Sequence, residues 1–184
     1  MKMKAITQTI TGWIGDFKDL DDVIKEMFYI AKAVRKNAQA EFSHYLVGAT
    51  VQSAKTSNIY RGCNVERASY TQTSHAEQVA IDSMIAAEGK GAKLDKLVLI
   101  AGSEYVNIVI PPVVVKKREF WEVKFSEIPA PCGHCLQIIW ENCLKDDGVQ
   151  LYGFTNNGEV TMVTINSAFP FKFGPADLGV VYGK

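Results

Sequence analysis

Between Asp19 and Ala40 the apolar residues Val23, Ile24, Met27, Phe28, Ala31 and Val34 recur three and four positions apart, behind acidic residues in the first turn. That spacing predicts an amphipathic helix lying on something flat. The β-type runs YLVGATVQSA and NIYRGCNVE follow, separated by the turn-like KTSN, and read as a hairpin or two neighbouring strands. Helical spacing returns in TSHAEQVAIDSMIAAEG, with Thr73 or Ser74 as the cap and Gly89 as the stop. DKLVLIAG reads as a buried strand, and PCGHCLQIIWENCLKDDG as a helix beginning at or near Cys132 and ending before Gly148. VQLYGF and EVTMVTI, joined by TNNG, supply two more strands. The order of helix, two strands, helix, strand, helix and strands predicts an α/β protein, a three-layer αβα sandwich around a mixed sheet. The stretch from Gly102 to Ile128 has no period: it mixes PPVVV, KKRE and FWEVKF, and reads as an inserted hairpin or flap.

Composition narrows this picture. With 184 residues and 47% hydrophobic content, the chain can build a single core. Residues 19–184 are therefore read as one domain with an insertion at about 102–128, and residues 1–18 as an N-terminal extension. Lysine plus arginine equals aspartate plus glutamate, at 20 each, so no net field draws the chain to nucleic acid or to an acidic membrane. A small neutral ligand fits better. Threonine and glutamine interrupt the apolar stretch behind the first two lysines, which argues against a signal peptide. The apolar run Val106–Val115 contains Asn107 and two prolines and falls short of the roughly 20 residues of a membrane helix. A soluble, cytoplasmic protein is expected.

Cysteines stand at 63, 132, 135 and 143, and Cys132 and Cys135 form a Cys-x-x-Cys pair at a predicted helix start. Alone, that pair is compatible with buried thiols, a redox dithiol or a metal site. His75, at the start of the other helix, changes the balance: one imidazole and two thiolates are a three-ligand zinc set with one position open, as catalytic zinc requires. Cys63 or His134 could in principle close it. His134 is expected to point away, and Cys63 reads as a small strand residue. Glu77, on the first helical turn with His75, would stand beside a water on the metal without ligating, where a proton shuttle belongs. A purely structural zinc site gives that carboxylate no task.

His-x-Glu followed by Pro-Cys-x-x-Cys resembles the zinc deaminase signature. The likeness to the cytidine deaminase family extends further, through FSHYLVGATV, GCNVERASY, HAEQ, APCGHC and FGPADL in order, across most of residues 20–184. The resemblance implies a cytidine deaminase-like fold, one Zn²⁺ per chain on His75, Cys132 and Cys135, and proton shuttling by Glu77. It also implies that Asn64 and Glu66 bind the ribose 3′-hydroxyl, that the Ala76 amide meets the pyrimidine carbonyl, and that Tyr45 lines the pocket. Phe173 resembles the phenylalanine that reaches into a neighbouring subunit's pocket, so a homo-oligomer, dimer or tetramer, is expected.

Some positions depart from the family pattern. Arg67 stands where many members have asparagine, and HAEQ is typical of the longer dimeric members, whereas the chain length is of the short homotetrameric type. The ligand chemistry is self-consistent, since one histidine and two thiolates cancel the charge of Zn²⁺ without help. The activity this implies is hydrolytic deamination of cytidine or deoxycytidine to the uridine product plus ammonia, in pyrimidine salvage. The alternatives are a modified nucleoside or nucleoside antibiotic as substrate and a non-catalytic zinc-binding module. KKRE at 116–119 reads as a solvated loop, and His44 as a structural hydrogen-bonder.

Overall fold

A computed structural model of the chain describes residues 5, 7–116, 118–119 and 122–180. Within them the periodicities resolve into β1 (Gly12–Gly15), α1 (Asp22–Arg35), β2 (Tyr45–Ser53), β3 (Ile59–Cys63), α2 (Ala76–Glu88), β4 (Leu94–Ser103), α3 (Gly133–Asn142), β5 (Gln150–Phe154), β6 (Val160–Thr164) and α4 (Ile165–Ala168). The strands form one sheet in the order β1-β6-β5-β4-β2-β3. β4 and β5 pair in parallel and the other neighbours antiparallel, which makes the sheet mixed, as expected. Parallel neighbours need a crossover, and the chain from β4 through α3 to β5 is that crossover.

Side chains alternate across each strand, so one strand feeds two cores. Leu97 and Leu99 of β4 face Ala80, Ile81 and Met84 of α2 and Ile139 of α3. Val98 and Ile100 face Met27, Phe28 and Ala31 of α1. Helices on both faces give the three-layer αβα sandwich. Two glycines let the layers close. A β-carbon on Gly48 would stand 2.1 Å from the Ala31 carbonyl oxygen of α1, and one on Gly62 would stand 2.3 Å from the Ala76 carbonyl oxygen of α2.

Several boundaries differ from the expectation. The helix read over 19–40 spans only 22–35, and Val23 lies 41% exposed, off its core face. Neither Thr73 nor Ser74 caps α2: the N-cap is His75, and no side chain caps it. The helix read as beginning at or near Cys132 and ending before Gly148 does so, over Gly133–Asn142. The segment read as an N-terminal extension adds β1, paired to β6 from Gly12↔Val163 to Gly15↔Val160, and contributes Phe17 to the core beneath α1. No helix among the described residues is long and apolar enough to cross a membrane.

Gly102 and Ser103 close β4, paired to Leu46 and Tyr45 of β2, and from there to Ile128 the regular element among the described residues is a 3₁₀ turn at Phe125–Glu127. The reading of KKRE as a solvated loop fails at Arg118, whereas Lys116 is exposed. The Arg118 guanidinium donates from Nε and Nη2 to the two oxygens of Glu159 at 2.9 and 2.8 Å, and from Nη1 to Glu127 at 2.7 Å. Glu159 also accepts from Thr155 and Asn157, and Asn157 bonds the backbone of Lys116 in both directions. Beneath this segment lies a cavity of about 680 Å³, lined among others by Tyr45, Asn107, Ile108, Pro129 and Thr155.

Arg118 beside it, against the opposing pull of burial, holds the Glu159 carboxyl from its ordinary 4.5 down to about 2. A depressed carboxyl pKa contributes stability that is present above the unfolded value and is lost as pH falls through the native one. Thermal melts between pH 4.5 and 2 are therefore expected to show the stability gap between the wild type and Glu159→Gln narrowing as the pH falls. A gap that stays constant across that window would contradict the pairing.

Candidate active site

β3 and β4 run in the same direction and both end at the edge of the sheet where β2 begins, as the two antiparallel pairings through β2 require. The segments leaving those two strand ends lead into α2 and α3. His75 is the residue before α2 and Cys132 the residue before α3, each in extended conformation and neither making a side-chain cap. The first-turn amides of both helices, and the positive ends of their dipoles, are thus left free to favour anionic ligands.

The two starts converge. His75 Nδ1 lies 3.4 Å from Cys132 Sγ, and the ligand atoms of His75, Cys132 and Cys135 all lie within 4.8 Å of one another. A tetrahedral ion about 2.0–2.3 Å from each ligand would hold the ligand atoms roughly 3.5–3.8 Å apart, so the set fits zinc with small adjustment. Without a cation, burial first, and then the charges of Glu77 and Cys132, push the Cys135 thiol well up from its ordinary range. A bound divalent cation reverses that balance, because a coordinating thiol is deprotonated outright.

Glu77 is 5% exposed, on the first turn of α2, next to Cys135. A carboxylate that served only to decorate a helix start would face solvent. Ala76 is the first residue of α2 and is buried, so its amide is one of those the helix itself does not satisfy.

Asn64 and Glu66 lie on the chain between β3 and α2, and that chain is closed at its base. Val65 and Ser74 exchange backbone hydrogen bonds at 2.9 and 3.0 Å, which fixes both residues relative to His75. Both side chains are buried. The Asn64 amide donates to the Tyr45 carbonyl at 2.9 Å and accepts from the Val47 amide at 2.8 Å. Glu66 accepts from the Phe42 and Ser43 amides, both at 3.1 Å, and from the Ser43 hydroxyl at 2.5 Å. Burial pulls its pKa up, but those three donors outweigh burial and hold the carboxyl below its usual range. Asn64 therefore keeps one N–H, and Glu66 about one of its roughly four acceptor positions. One donor and one acceptor are what a sugar hydroxyl can use.

Tyr45 opens β2, half-exposed, on the wall of the 680 Å³ cavity. Phe173 is 57% exposed in the single chain, and its carbonyl accepts from Gln137 of α3 at 2.8 Å. The structure thus brings together His75, Cys132, Cys135 and Glu77, ties Asn64 and Glu66 to them through the Val65–Ser74 bridge, and leaves Phe173 on the outside. Cys63 is not among the metal-ligand group, and neither is His134, although the His134 ring centroid stands 5.2 Å from that of His75. His44 is 2.9 Å from Glu104, a structural pairing. Sequence reasoning missed Ser43, which lies inside the quoted FSHY but carries no sign in its spacing of the carboxylate it holds.

Comparison with known proteins points the same way. The family model described as the cytidine and deoxycytidylate deaminase zinc-binding region matches residues 22–147. A cytidine deaminase of Sporosarcina psychrophila is 27% identical over 160 residues, covering 87% of this chain and 95% of that protein. One of Halalkalibacterium halodurans is 28% identical over 160 residues, covering 87% and 98%. The crystal structure of cytidine deaminase from Burkholderia pseudomallei matches with a TM-score of 0.58 at 23% identity, over 80% of this chain and 97% of that one. Cytidine deaminase from Mycobacterium tuberculosis matches with a TM-score of 0.56 at 21% identity, over 85% and 99%.

Elemental analysis of purified protein is expected to find about one zinc per chain, because three deprotonated ligands at a prepared site bind tightly. His75→Ala and Cys132→Ala should each lose it. Full metal content in both variants would place the ion elsewhere.

Proposed function

Because the chain belongs to the cytidine and deoxycytidylate deaminase zinc-binding family, we propose that it hydrolyses the exocyclic amine of cytidine or deoxycytidine, releasing the uridine product and ammonia. The observation that carries the reading is a buried carboxylate, Glu77, beside a three-ligand set that leaves zinc one open position. Zinc, when bound by His75, Cys132 and Cys135, supplies a water of lowered pKa. Glu77 would carry one proton of the attacking water to the pyrimidine N3 as its oxygen bonds C4, and the second to the amine as the C4–N bond breaks and ammonia leaves. Water is consumed, and no other reactant is needed. The Ala76 amide donates to the pyrimidine carbonyl, Asn64 and Glu66 hold the ribose 3′-hydroxyl through the positions they keep free, and Tyr45 lines the pocket.

Zero net charge suits a free nucleoside over a polynucleotide. The four cysteines are free, as in a reducing compartment, which supports a soluble, cytoplasmic enzyme of pyrimidine salvage. The exposed rings of Phe171 and Phe173 at the end of the chain support a homo-oligomer in which Phe173 completes a neighbouring subunit's pocket.

Glu77→Ala is the decisive variant. It removes the proton carrier but no ligand, so folded, zinc-loaded protein should lose at least about 10²–10⁴-fold in kcat in a spectrophotometric assay with cytidine. Retention of more than about a tenth of wild-type kcat would sink the mechanism. For assembly, light scattering at assay concentration is expected to show a dimer or tetramer; a fully active monomer would rule out a shared site.

A further inference from the structure

The crossover from β4 to α3 carries the zinc ligands Cys132 and Cys135 at its far end, and a partly buried guanidinium sits in its middle. Arg118 is 13% exposed at its side chain; Glu159, its bidentate partner, is 7%, and Glu127, its third contact, 27%. Glu159 belongs to the turn between β5 and β6, and it is itself fixed by Thr155 and Asn157. The Val115 amide donates to the Asn157 carbonyl at 3.1 Å, so the chain on the near side of Arg118 is held to the same turn. Glu127 lies on the other side, five residues before Cys132. Between them, Pro129 lies so close over β5 that a β-carbon on Gly153 would stand 2.4 Å from its ring.

We propose that Arg118 is a positioning residue for the metal centre: its fork clamps Glu127 to Glu159, and through the short Glu127–Cys132 segment it sets where Cys132 stands relative to His75. This rests on the zinc reading of the site. Arg118 lies outside the His75, Cys132 and Cys135 group and acts on it only through Glu127. A guanidinium suits the task because it can bond two carboxylates at once in fixed directions, which an ammonium cannot do. Without the clamp, the lead-in to α3 keeps its contacts with β5 at Pro129 but loses the lateral restraint at Glu127. The thiolate of Cys132, which is exposed and precedes the helix, is the ligand with least packing to hold it.

The test uses the zinc-loaded protein and measures the rate at which a colorimetric chelator withdraws the ion, together with the visible absorption of the cobalt-substituted protein, whose band intensities report ligand geometry. Arg118→Gln, confirmed folded by circular dichroism at the assay temperature, is expected to release zinc at least tenfold faster than wild type and to show weakened cobalt bands. Arg118→Lys keeps a cation between the carboxylates and so guards against a variant that fails to fold; it should release zinc several-fold faster. Val98→Ala, a core change on the α1 face, serves as the comparator for lost stability alone and should release zinc at close to the wild-type rate.

Wild-type release rates in both folded Arg118 variants would overturn the proposal. So would equal acceleration in Val98→Ala, since the effect would then be general softening. A wild-type protein that binds no zinc at all would instead overturn the reading of the site on which the proposal rests.

Discussion

The site depends on one close approach, the seating of the first turn of α2 on the backbone of β3 at Gly62. Only a hydrogen fits there, because a methyl group would meet the Ala76 carbonyl and the Ala80 amide nitrogen at 2.3 and 2.5 Å. Forcing one in would cost about 1–3 kcal/mol of overpacking and would push the helix start outward. The partner of Gly62 across the sheet, Ala49, is itself small and fully buried, so the layer is thin at this point on purpose of packing. From that contact the chain leaves β3, passes Asn64 and Glu66, is closed by the Val65–Ser74 bridge, and enters α2 with His75, Ala76 and Glu77. Sugar-binding and metal-binding candidates are thus the two arms of one short corner, and their separation is set by backbone rather than by side-chain rotamers.

That corner also explains how a buried carboxylate is tolerated. Burying Glu77 and the Cys135 thiolate in one place is costly unless positive potential meets them. Two helix starts without side-chain caps supply part of it, since their first-turn amides are not spent on a capping group. A divalent cation supplies the rest. Its charge cancels that of the two thiolates. The imidazole in place of a third thiolate is what permits this balance without an added arginine or lysine.

Much of this was legible in the sequence because it is local. Apolar spacing gave α1, and the stretches HAE and PCGHC each combine a helix start with its ligands inside a few residues. What was not legible depends on partners distant in the chain. Arg118 pairs with Glu159 across 41 positions, so within KKRE it looks like any solvated charge. β1 is four residues, GWIG, with no alternation to mark it; it becomes a strand because β6 offers a free edge and Trp13 meets Tyr152 edge-on at 5.9 Å. Ser43 carries no pattern of its own, and its role exists only because β3 returns Glu66 to the loop before β2. The cap of α2 was misplaced because a Thr-Ser pair is the usual signal, and here Ser74 is instead held in the backbone bridge to Val65.

The position of the long β4–α3 connection follows from topology. In an α/β sheet, ligands sit outside the carboxyl ends of parallel strands, where the chain must leave the sheet to reach the next helix. β4 and β5 are the parallel pair here, and the connection between them delivers Cys132 and Cys135. Any lengthening of that connection is therefore placed at the rim of the site, whatever its sequence. The cost is that a long, aperiodic segment cannot bury enough apolar surface to fix itself, and Val113 and Val115 do point to solvent. The Arg118–Glu159 ion pair, with its carboxylate buried, holds the segment instead. It is directional, and losing Arg118 would leave the Glu159 carboxylate buried without its guanidinium.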